Sequence, residues 1–444
     1  MSTTCLPTAG FHRGTAPADL TGASEAAARS VIGRFGLVRA CEELAWREGL
    51  PRVHIAVAQG PRRLPGWLAG ASLDGTGVSP DPQEARLAAV AEAVERYAST
   101  STVSEESLGR ARFIDLGGDA VDPMDFALLS AAQYRLLPGL EPLRRDKQID
   151  WCRAFSLSRG ETSLVPAALA HLALARRPPN DFLPETTTTG VACHVSLPHA
   201  LLGGLCEVFE RDALMVAWAN RLPHTRLDPI GTPVEELLDT SFAGCDARFL
   251  LFQVPTDIPF PVILALAESA GHPPHAAVGA ACRPDAVSAA RRALLEASQV
   301  LSRLVSRPPP RPERIRSFAD HAALYAFPRE AALLRAVLGD GGQRGLSDVP
   351  AVPGRWVEAR LDHGLAWLGT VGLEAHVVEL TTPDIAPTGY RVLRLLVPGM
   401  VDHNADARVP RLGGRRLSEM PVRLGFRDRP LGESHLNRLP LPLA

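Results

Sequence analysis

The most restrictive feature of this sequence is a helix-forming stretch that is apolar on every side and still contains charged residues. It lies in the segment from Thr186 to Asn220, TTTTGVACHVSLPHALLGGLCEVFERDALMVAWAN. The pattern predicts a turn at Gly190, a short apolar strand and then a long helix. Because the residues from His199 to Ala219 are mostly apolar all round, this helix should be enclosed by other layers of the fold.

Two carboxylates interrupt this apolar helix. Glu207 and Glu210 are three residues apart and therefore project from one face, and Arg211 follows them. Buried carboxylates are unfavourable unless a cation or a hydrogen-bond donor meets them. The sequence therefore predicts a cationic partner at this face.

The same pattern, E-x-x-E-R, occurs in a second predicted helix. Its sequence from Ala85 to Thr100 is ARLAAVAEAVERYAST, with Glu92, Glu95 and Arg96 at the matching positions. Four carboxylates from two helices suit Mg²⁺, which prefers oxygen ligands and often bridges to phosphates. The alternative is two amphipathic helices whose glutamates and arginines form solvated ion pairs, and the residues alone leave both interpretations open.

A short glycine-containing turn precedes the predicted helix at Ala85–Thr100. Gly75 and Gly77 flank Thr76 shortly before Ala85. Backbone amides in such a turn can approach a phosphate group. A turn without any ligand is the alternative, because a single G-x-G is weak evidence.

Composition excludes several classes of function. The 444 residues include 47 basic and 49 acidic side chains, and the net charge of −2 disfavours nucleic acid and anionic membranes as partners. The first residues lack the pattern of a signal peptide, and no apolar run is long enough to cross a membrane. Seven scattered cysteines without C-x-x-C spacing favour reduced thiols over a zinc site or disulfides. We therefore expect a cytoplasmic protein of enzyme size.

The remaining pattern predicts a chain that mixes helices with strands. We expect an irregular arm over 1–30, a core over 31–306 with both glutamate helices, a proline-rich connector over 307–314, and a C-terminal part over 315–444 with a proline-containing tail. Further helices are predicted at Ile32–Glu48, Ala167–Ala175, Pro284–Ser306 and Glu330–Leu338. Strands are predicted at Val53–Ala58, Trp151–Leu157, Ser163–Val165, Asp246–Val254, Val262–Ala267, Ala375–Leu380 and Tyr390–Val397.

Together these segments resemble the YcaO family, the ATP-dependent enzymes that modify peptide backbones. The resemblance covers the chain from about Gly14 onward and rests on the two E-x-x-E-R helices in order, each after a glycine turn. It also rests on WCRAFSLSRGETSLVPAALAHLAL, on Glu296-Ala297-Ser298-Gln299, which is similar to the family's E-A-x-Q-x-R, on YRVLRLLVPGMVDHNA, and on the tail.

The resemblance implies the YcaO-type α/β fold with mixed sheets, in which ATP and Mg²⁺ lie between the two glutamate-bearing helices. Family members add a nucleophile to a peptide carbonyl and phosphorylate the amide oxygen. In cyclodehydratases the nucleophile is a Cys, Ser or Thr side chain of the peptide, and the product is a thiazoline or oxazoline ring. A proline-containing tail is typical of these azoline-forming members, so the resemblance implies a cyclodehydratase.

The resemblance also assigns roles to individual residues. It implies metal binding by Glu92, Glu95, Glu207 and Glu210, and catalysis by Pro440 and Pro442 of the tail. It implies ATP binding by Gly75, Gly77, Arg96, Gly190, Arg211, Gln299 and Arg303.

Several positions depart from the family pattern. Thr76 stands in place of Lys, Ala88 of Ser, Thr189 of Asn, Val195 of Asn, His199 of Glu, and Leu301 of Arg. A valine offers no ligand and a neutral histidine is a poor ligand for a hard cation. Each lost charge-assisted bond is worth roughly 1.5–3 kcal/mol, which would weaken ATP binding. Two alternatives therefore stay open: a non-catalytic scaffold subunit of a peptide-modifying complex, and a thioamide-forming enzyme with the same ATP site.

The resemblance implies partners as well. The substrate would be a ribosomally made precursor peptide. A ubiquitin-activating-enzyme-like protein would bind the leader of that peptide, because no separate leader-recognition module is evident in the sequence. Family members often dimerise, so a homodimer is one possible state.

Overall fold

The computed structural model describes residues 19–61, 72–101, 103–174, 180, 182–184, 186–269, 271–306, 320–403 and 409–443. The helices in these ranges are α1 Leu20–Val31, α2 Pro82–Thr100, α3 Ala131–Leu136, α4 Ala167–Ala170, α5 Leu197–Asn220, α6 Pro233–Ser241, α7 Ala286–Ser306, α8 His321–Leu324, α9 Pro328–Leu338, α10 Val357–Thr370 and α11 Arg415–Arg423. The strands are β1 Cys41–Glu43, β2 His54–Ala58, β3 Gly75–Ser79, β4 Gly109–Arg112, β5 Gln148–Ser156, β6 Glu161–Pro166, β7 Val191–His194, β8 Thr225–Asp228, β9 Arg248–Gln253, β10 Val262–Glu268, β11 Ala276–Cys282, β12 Gln343–Gly345, β13 His376–Glu379 and β14 Arg391–Leu396.

The strands form three sheets. A three-stranded sheet has the order β1-β2-β3, and a five-stranded sheet has the order β11-β10-β9-β8-β12. A six-stranded sheet has the order β4-β5-β13-β14-β7, with β6 also paired to β5. Of the strand pairs in the described ranges, β12–β8 is parallel and the others are antiparallel. The predicted α/β fold with mixed sheets is therefore confirmed.

Helix α5 lies at the centre of the largest apolar core, as the sequence predicted. It contacts β7 and β14 of the six-stranded sheet, β10 and β11 of the five-stranded sheet, and the helices α10 and α11. Every residue from Ala213 to Asn220 is buried. The second half of α5 is therefore enclosed on all sides by protein. The charged residues of α5 lie just before it, at 207 and 210–212, and need partners from the surrounding elements.

Helix α2 packs very closely against β3. A Cβ atom at Gly75 would lie 2.0 Å from the carbonyl oxygen of Ala89, and one at Gly77 would lie 2.0 Å from that of Ala85. Only glycine permits this approach. It brings Thr76, between the two glycines, next to the glutamates of α2.

Three predictions for the first half of the chain need correction. The arm predicted as irregular over 1–30 contains α1, which Asp19 caps by accepting a hydrogen bond from the Gly22 N–H at 2.9 Å. The helix predicted at Ile32–Glu48 is wrong, because the chain turns back after α1 and the Val38 N–H donates to the Val31 carbonyl at 3.0 Å. Glycines 33 and 36 in this turn disfavour a helix, and β1 follows it.

The helix predicted at Ala167–Ala175 is shorter in the structure. Its α-helical part ends at Ala170, and a 3-10 turn over Leu172–Leu174 follows. The other predicted helices and strands are present with small shifts of their ends. The predicted connector over 307–314 lies outside the described residues, so the division of the chain at that point stays a prediction.

None of the helices in the described ranges is both long enough and apolar enough to cross a membrane.

Candidate functional site

Strand β3 and helices α2 and α7 fix the first glutamate pair. The backbone N–H and the hydroxyl of Thr76 both donate to Oε2 of Glu92, at 2.6 and 3.0 Å. Arg96 binds the other oxygen of Glu92 at 2.6 Å. The side-chain amide of Gln299 on α7 donates to the Thr76 hydroxyl at 2.7 Å. The structure therefore brings three of the predicted site residues, Glu92, Arg96 and Gln299, together around Thr76.

Helix α5 presents the second glutamate pair to backbone donors. The Gly190 N–H donates to Oε2 of Glu207 at 3.3 Å, and the Cys282 N–H at the end of β11 donates to Oε2 of Glu210 at 3.0 Å. Gly190 has a φ of +80°, and a Cβ atom there would lie 2.2 Å from the Leu395 carbonyl oxygen. The turn therefore requires glycine at position 190, where the resemblance also implied a site residue.

Arg211 lies between the two carboxylates of α5. Its guanidinium is 3.6 Å from Glu207 and 3.8 Å from Glu210, and its side chain is 16% exposed. Its Nε and Nη1 atoms have no hydrogen-bond partner among the described residues. Arg211 is therefore the cation that the apolar helix required, with donors left over for an anionic ligand.

Burial raises the pKa values of these carboxyl groups. The pKa of Glu207 rises to about 7, although Arg211 and the Gly190 N–H oppose the rise. The pKa of Glu210 also rises to about 7, again opposed by Arg211. On α2, burial and the nearby charges of Glu207 and Glu92 raise the pKa of Glu95 well above its usual value. Glu207 of α5 and Glu95 of α2 therefore lie close enough for the charge of one to affect the pKa of the other, and we call the region between these two helices the glutamate cleft.

This arrangement fits a divalent cation bound together with phosphates better than a metal held by protein alone. In the described ranges, no three His, Cys, Asp or Glu side chains converge closely enough to hold an ion. Mg²⁺ commonly keeps waters and binds through one or two carboxylates plus substrate phosphates. Carboxylates from both helices, with the spare donors of Arg211 beside Glu207 and Glu210, suit that mode of binding.

Asp402 is a part of the site that the sequence did not reveal. It follows β14 and accepts hydrogen bonds from the hydroxyls of Thr187 and Thr189, beside a 2.9 Å ion pair with Arg411. The positive charge of Arg411 and the hydrogen bonds hold its pKa well below the usual value despite burial. Asp402 thereby anchors the turn that ends in Gly190. In the sequence, Asp402 lies within YRVLRLLVPGMVDHNA, a segment that resembles the family but gives Asp402 no individual role.

The positions that depart from the family pattern have other partners in the structure. Thr189 binds Asp402, as described above, and His199 contacts the Ser196 hydroxyl at 2.9 Å and stacks on His194 with 4.8 Å between ring centres. Val195 packs against an apolar cluster, and Leu301 is buried in the core. The side chain of Ala88 lies beside Gly77, where a larger residue would crowd β3. Arg303 lies one turn after Gln299 on α7.

The last residue of the E-x-x-E-R-D motif is structural. Asp212 is fully buried and forms an ion pair with Arg416 of α11 at 2.7 Å. It also accepts a hydrogen bond from the Val401 N–H at 2.8 Å. Asp212 thus ties α5 to the segment that ends in Asp402.

The tail packs against the far end of α5. The indole N–H of Trp218 donates to the Leu439 carbonyl at 2.8 Å, and the Tyr325 hydroxyl donates to the carbonyl of Pro440. Pro442 is buried. Trp218 follows Glu207 by eleven residues, which is about 16 Å along a helix axis. Leu439 and Pro440 therefore contact residues at or beyond the end of α5 that is distant from Glu207, and the catalytic role of Pro440 and Pro442 stays a prediction.

Comparisons with known proteins point to one family. A family model described as YcaO cyclodehydratase, ATP- and Mg²⁺-binding, matches residues 76–401. An uncharacterized protein in the tfuA 3′ region of Rhizobium leguminosarum bv. trifolii is 31% identical over 169 residues, which are 34% of this chain and 39% of that protein.

Solved structures share the fold at low identity. A heterocyclase in complex with substrate and cofactor has a TM-score of 0.80 at 23% identity, over 95% of this chain and 57% of that one. The YcaO of Methanopyrus kandleri, bound with AMPPCP and Mg²⁺, has a TM-score of 0.62 at 22% identity, over 85% of this chain and 88% of that one. This chain thus spans 39% of the curated relative and 57% of the heterocyclase.

Proposed function

This chain belongs to the YcaO family of cyclodehydratases, and we propose that it is an ATP-dependent enzyme that forms thiazoline or oxazoline rings on a ribosomally synthesised precursor peptide. The observation that carries the proposal is the cleft between α2 and α5. There the charge of Glu207 on α5 contributes to the raised pKa of Glu95 on α2, and Arg211 retains two donors without partners in the described ranges. An enclosed cation with free donors and flanking carboxylates is the combination that a magnesium-bound triphosphate requires.

The residues of the cleft divide the work of holding ATP and Mg²⁺. Glu95, Glu207 and Glu210 are the ligands proposed for the cation, with Glu92 held in place by Thr76 and Arg96. Arg211 would neutralise negative charge on the transferred phosphoryl group. Gln299 and Arg303 face the same side from α7 and would bind the nucleotide beside Gly75 and Gly77. Bound ATP supplies the phosphoryl group that turns an amide oxygen into a leaving group.

The proposed reaction balances without a further reagent. A Cys, Ser or Thr side chain of the peptide adds to the preceding carbonyl carbon and loses its proton. The carbonyl oxygen takes the γ-phosphoryl group of ATP and then leaves as phosphate, while the amide nitrogen loses its proton to form the C=N bond. The products are an azoline ring, ADP and phosphate. The contribution of the protein is to position both substrates and to stabilise the developing charge.

The proposed partners rest on membership of the YcaO family. We infer a precursor peptide as substrate and a ubiquitin-activating-enzyme-like protein that binds its leader, in the cytoplasm. Pull-down with the product of a neighbouring gene would test the partner. Tight binding of the leader by this chain alone would contradict the need for one.

A scaffold subunit without turnover is the second candidate function. The observation in its favour is that Val195 and His199, which replace polar ligands of the family, make apolar and histidine contacts instead. A thioamide-forming enzyme would use the same ATP site, and the tail with Pro440 and Pro442 is the feature that weighs against it.

Calorimetry with ATP and Mg²⁺ tests the proposal. We expect micromolar binding by the wild-type chain and none by the double variant Glu207→Ala with Glu210→Ala. The matched control is Glu236→Ala with Asp239→Ala, which removes two carboxylates three residues apart from the exposed surface of α6. Mass spectrometry of a precursor peptide then distinguishes an enzyme from a scaffold, because an enzyme removes one water from the peptide for each ring that forms. No binding by the wild type, alone or with its partner, would contradict an ATP-dependent function.

A further inference from the structure

A small cavity adjoins the glutamate cleft on the side of Glu207 and Asp402. It has a volume of about 60 Å³ and lies between α5, β14 and the turn before β7. Val208, next to Glu207 in the sequence, forms part of its wall, as do Thr189 and Asp402. Among the described residues, α2 and α7 contribute none of the lining, although they carry Glu92 and Gln299. Among the described residues, the cavity is therefore bordered by the turn before Gly190 and by Asp402 rather than by α2 and α7.

One wall of the cavity is apolar and the other is polar. The apolar wall includes Leu128, Leu169, Val208, Leu396, Val397 and Met400. The polar wall consists of Thr186, Thr189, Arg394, Asp402 and Arg411. Arg394 is 2% exposed and Arg411 is 5% exposed, so both positive charges are enclosed by protein. Two arginines opposite one aspartate leave this wall with a surplus of positive charge.

Most polar groups of this wall already have partners. Asp402 binds Thr187, Thr189 and Arg411, and Thr186 donates to the Ala168 carbonyl at 3.0 Å. Arg394 donates through Nη2 to the Thr187 carbonyl at 2.7 Å, but its Nε has no hydrogen-bond partner among the described residues. A buried donor without a partner is unfavourable. A ligand that brings an uncharged acceptor, such as a backbone carbonyl oxygen, would satisfy it.

The geometry of phosphoryl transfer determines where the acceptor has to approach. The attacking oxygen and the leaving oxygen lie roughly in line through the transferred phosphorus. If the nucleotide contacts α2, α7 and Arg211, the acceptor has to come from the opposite side of the carboxylates. No described residue of α2 or α7 lines the cavity, and its lining residue Thr189 directly precedes Gly190, whose N–H donates to Glu207 at 3.3 Å.

We propose that this cavity is the acceptor subsite, which takes a small side chain of the substrate peptide against the apolar wall and a backbone carbonyl oxygen on Nε of Arg394. The residue concerned is the one that precedes the ring-forming residue, because its carbonyl is the group that is phosphorylated. This inference rests on the proposed function. A bound water needs about 10–15 Å³ of such volume, so 60 Å³ suits a side chain of few atoms better than an indole.

The test uses two synthetic peptides, Gly-Gly-Ala-Cys-Gly-Gly and Gly-Gly-Trp-Cys-Gly-Gly, with the full-length chain, Mg²⁺ and a non-hydrolysable ATP analogue. We expect the dissociation constant of the alanine peptide to be at least ten-fold lower than that of the tryptophan peptide. Ala127 lines the cavity and is only partly buried, so Ala127→Leu narrows the cavity with little risk to the fold. This variant should lose the preference for alanine while ATP binding changes less than two-fold.

A second variant and a control complete the experiment. Val397→Ala widens the cavity and should at least halve the ratio of the two dissociation constants. Leu250→Phe, in a separate groove between β9 and α9, should leave the ratio unchanged. Equal affinities for both peptides on the wild type, or an unchanged ratio in both cavity variants, would overturn the subsite.

The outcomes separate this inference from the proposed function. A clear preference for the alanine peptide without any ring formation on a full precursor would support the subsite and contradict the enzymatic function. Ring formation at equal rates with alanine or tryptophan before the cysteine would contradict the subsite and leave the function intact.

Discussion

Glu92 and Thr76 are joined by two hydrogen bonds, because the backbone N–H and the hydroxyl of Thr76 donate to the same carboxylate oxygen at 2.6 and 3.0 Å. The hydroxyl also accepts a hydrogen bond from Gln299 at 2.7 Å. One threonine therefore links α2 to α7 across β3. The family pattern has a lysine here, so this site replaces a mobile cation by a fixed hydroxyl.

Replacing this hydroxyl should weaken nucleotide binding. Thr76→Val keeps the shape of the side chain but removes its bonds to Glu92 and Gln299, a loss of about 1 kcal/mol. If this free energy is lost from nucleotide binding, the affinity for ATP with Mg²⁺, measured by calorimetry, should fall roughly five-fold. Thr76→Ser retains the hydroxyl and serves as the control. Equal affinities of the valine and serine variants would show that the hydroxyl does not support the site.

Nucleotide binding should strengthen as pH rises through neutrality. The pKa values of Glu207 and Glu210 lie at about 7 because the carboxyl groups are buried, and a divalent cation needs them ionised. We expect affinity for ATP with Mg²⁺ to rise between about pH 6 and pH 8. Binding at pH 7 should release protons, which calorimetry in buffers of different ionisation enthalpy measures. Affinity that is independent of pH over this range would contradict the assignment of these carboxylates.

The ligand-free protein should show the opposite trend in stability. Both glutamates have higher pKa values in the folded state than their ordinary value of 4.5, so the unfolded chain loses protons first. Their contribution to stability is complete below about pH 4.5 and is lost as pH rises to about 7. The free energy of unfolding of Glu207→Gln with Glu210→Gln should therefore fall less over this range than that of the wild type.

Breaking the ion pair between Asp212 and Arg416 should destabilise the fold strongly. Asp212→Asn leaves a guanidinium that is 9% exposed beside a neutral amide. Removing one partner of a buried pair costs about 3–5 kcal/mol. Asp257→Asn is the matched control, because Asp257 binds the same arginine at 2.7 Å but is 17% exposed. Chemical denaturation measures both, and equal losses would contradict the importance of burial.

The tail should be needed for stability, and its prolines can be tested separately. Deleting 440–444 removes the buried Leu441 and Leu443 and the partner of the Tyr325 hydroxyl, so the free energy of unfolding should fall by roughly 2–5 kcal/mol. Pro440→Ala with Pro442→Ala keeps those contacts and should lose about 1 kcal/mol or less. Reduced ring formation by this double variant at unchanged stability would support the catalytic assignment of the prolines. Full activity would contradict it.

Local patterns made the glutamate helices predictable. Glu92 with Glu95, and Glu207 with Glu210, are neighbours on one helical turn within apolar sequences, so their type of element and their shared face follow from spacing alone. Residues 32–48 were different, because their apolar spacing resembles a helix while the turn at Gly33 and Gly36 leads the chain back onto Val31. Tertiary contacts decided that segment.

The partners of the site residues were not predictable from one sequence. Asp402 and Thr189 are 213 residues apart, and nothing in their local sequence indicates that they meet. The same holds for Thr76 and Gln299, which are 223 residues apart. Such pairs depend on how the sheets pack against each other, whereas spacing along the chain describes only one element at a time.

The long separation between Thr189 and Asp402 also has a consequence for biosynthesis. A ribosome that adds about 5–20 residues per second needs about 10–40 s to proceed from the first of these residues to the second. Once residue 220 has been added, the nascent chain carries both glutamate helices, but the turn at Gly190 still lacks the anchor that aims its N–H at Glu207. A polypeptide released before residue 402 therefore possesses both motifs and an incomplete cleft, so translation has to pass the end of the matched region at residue 401 to complete the site.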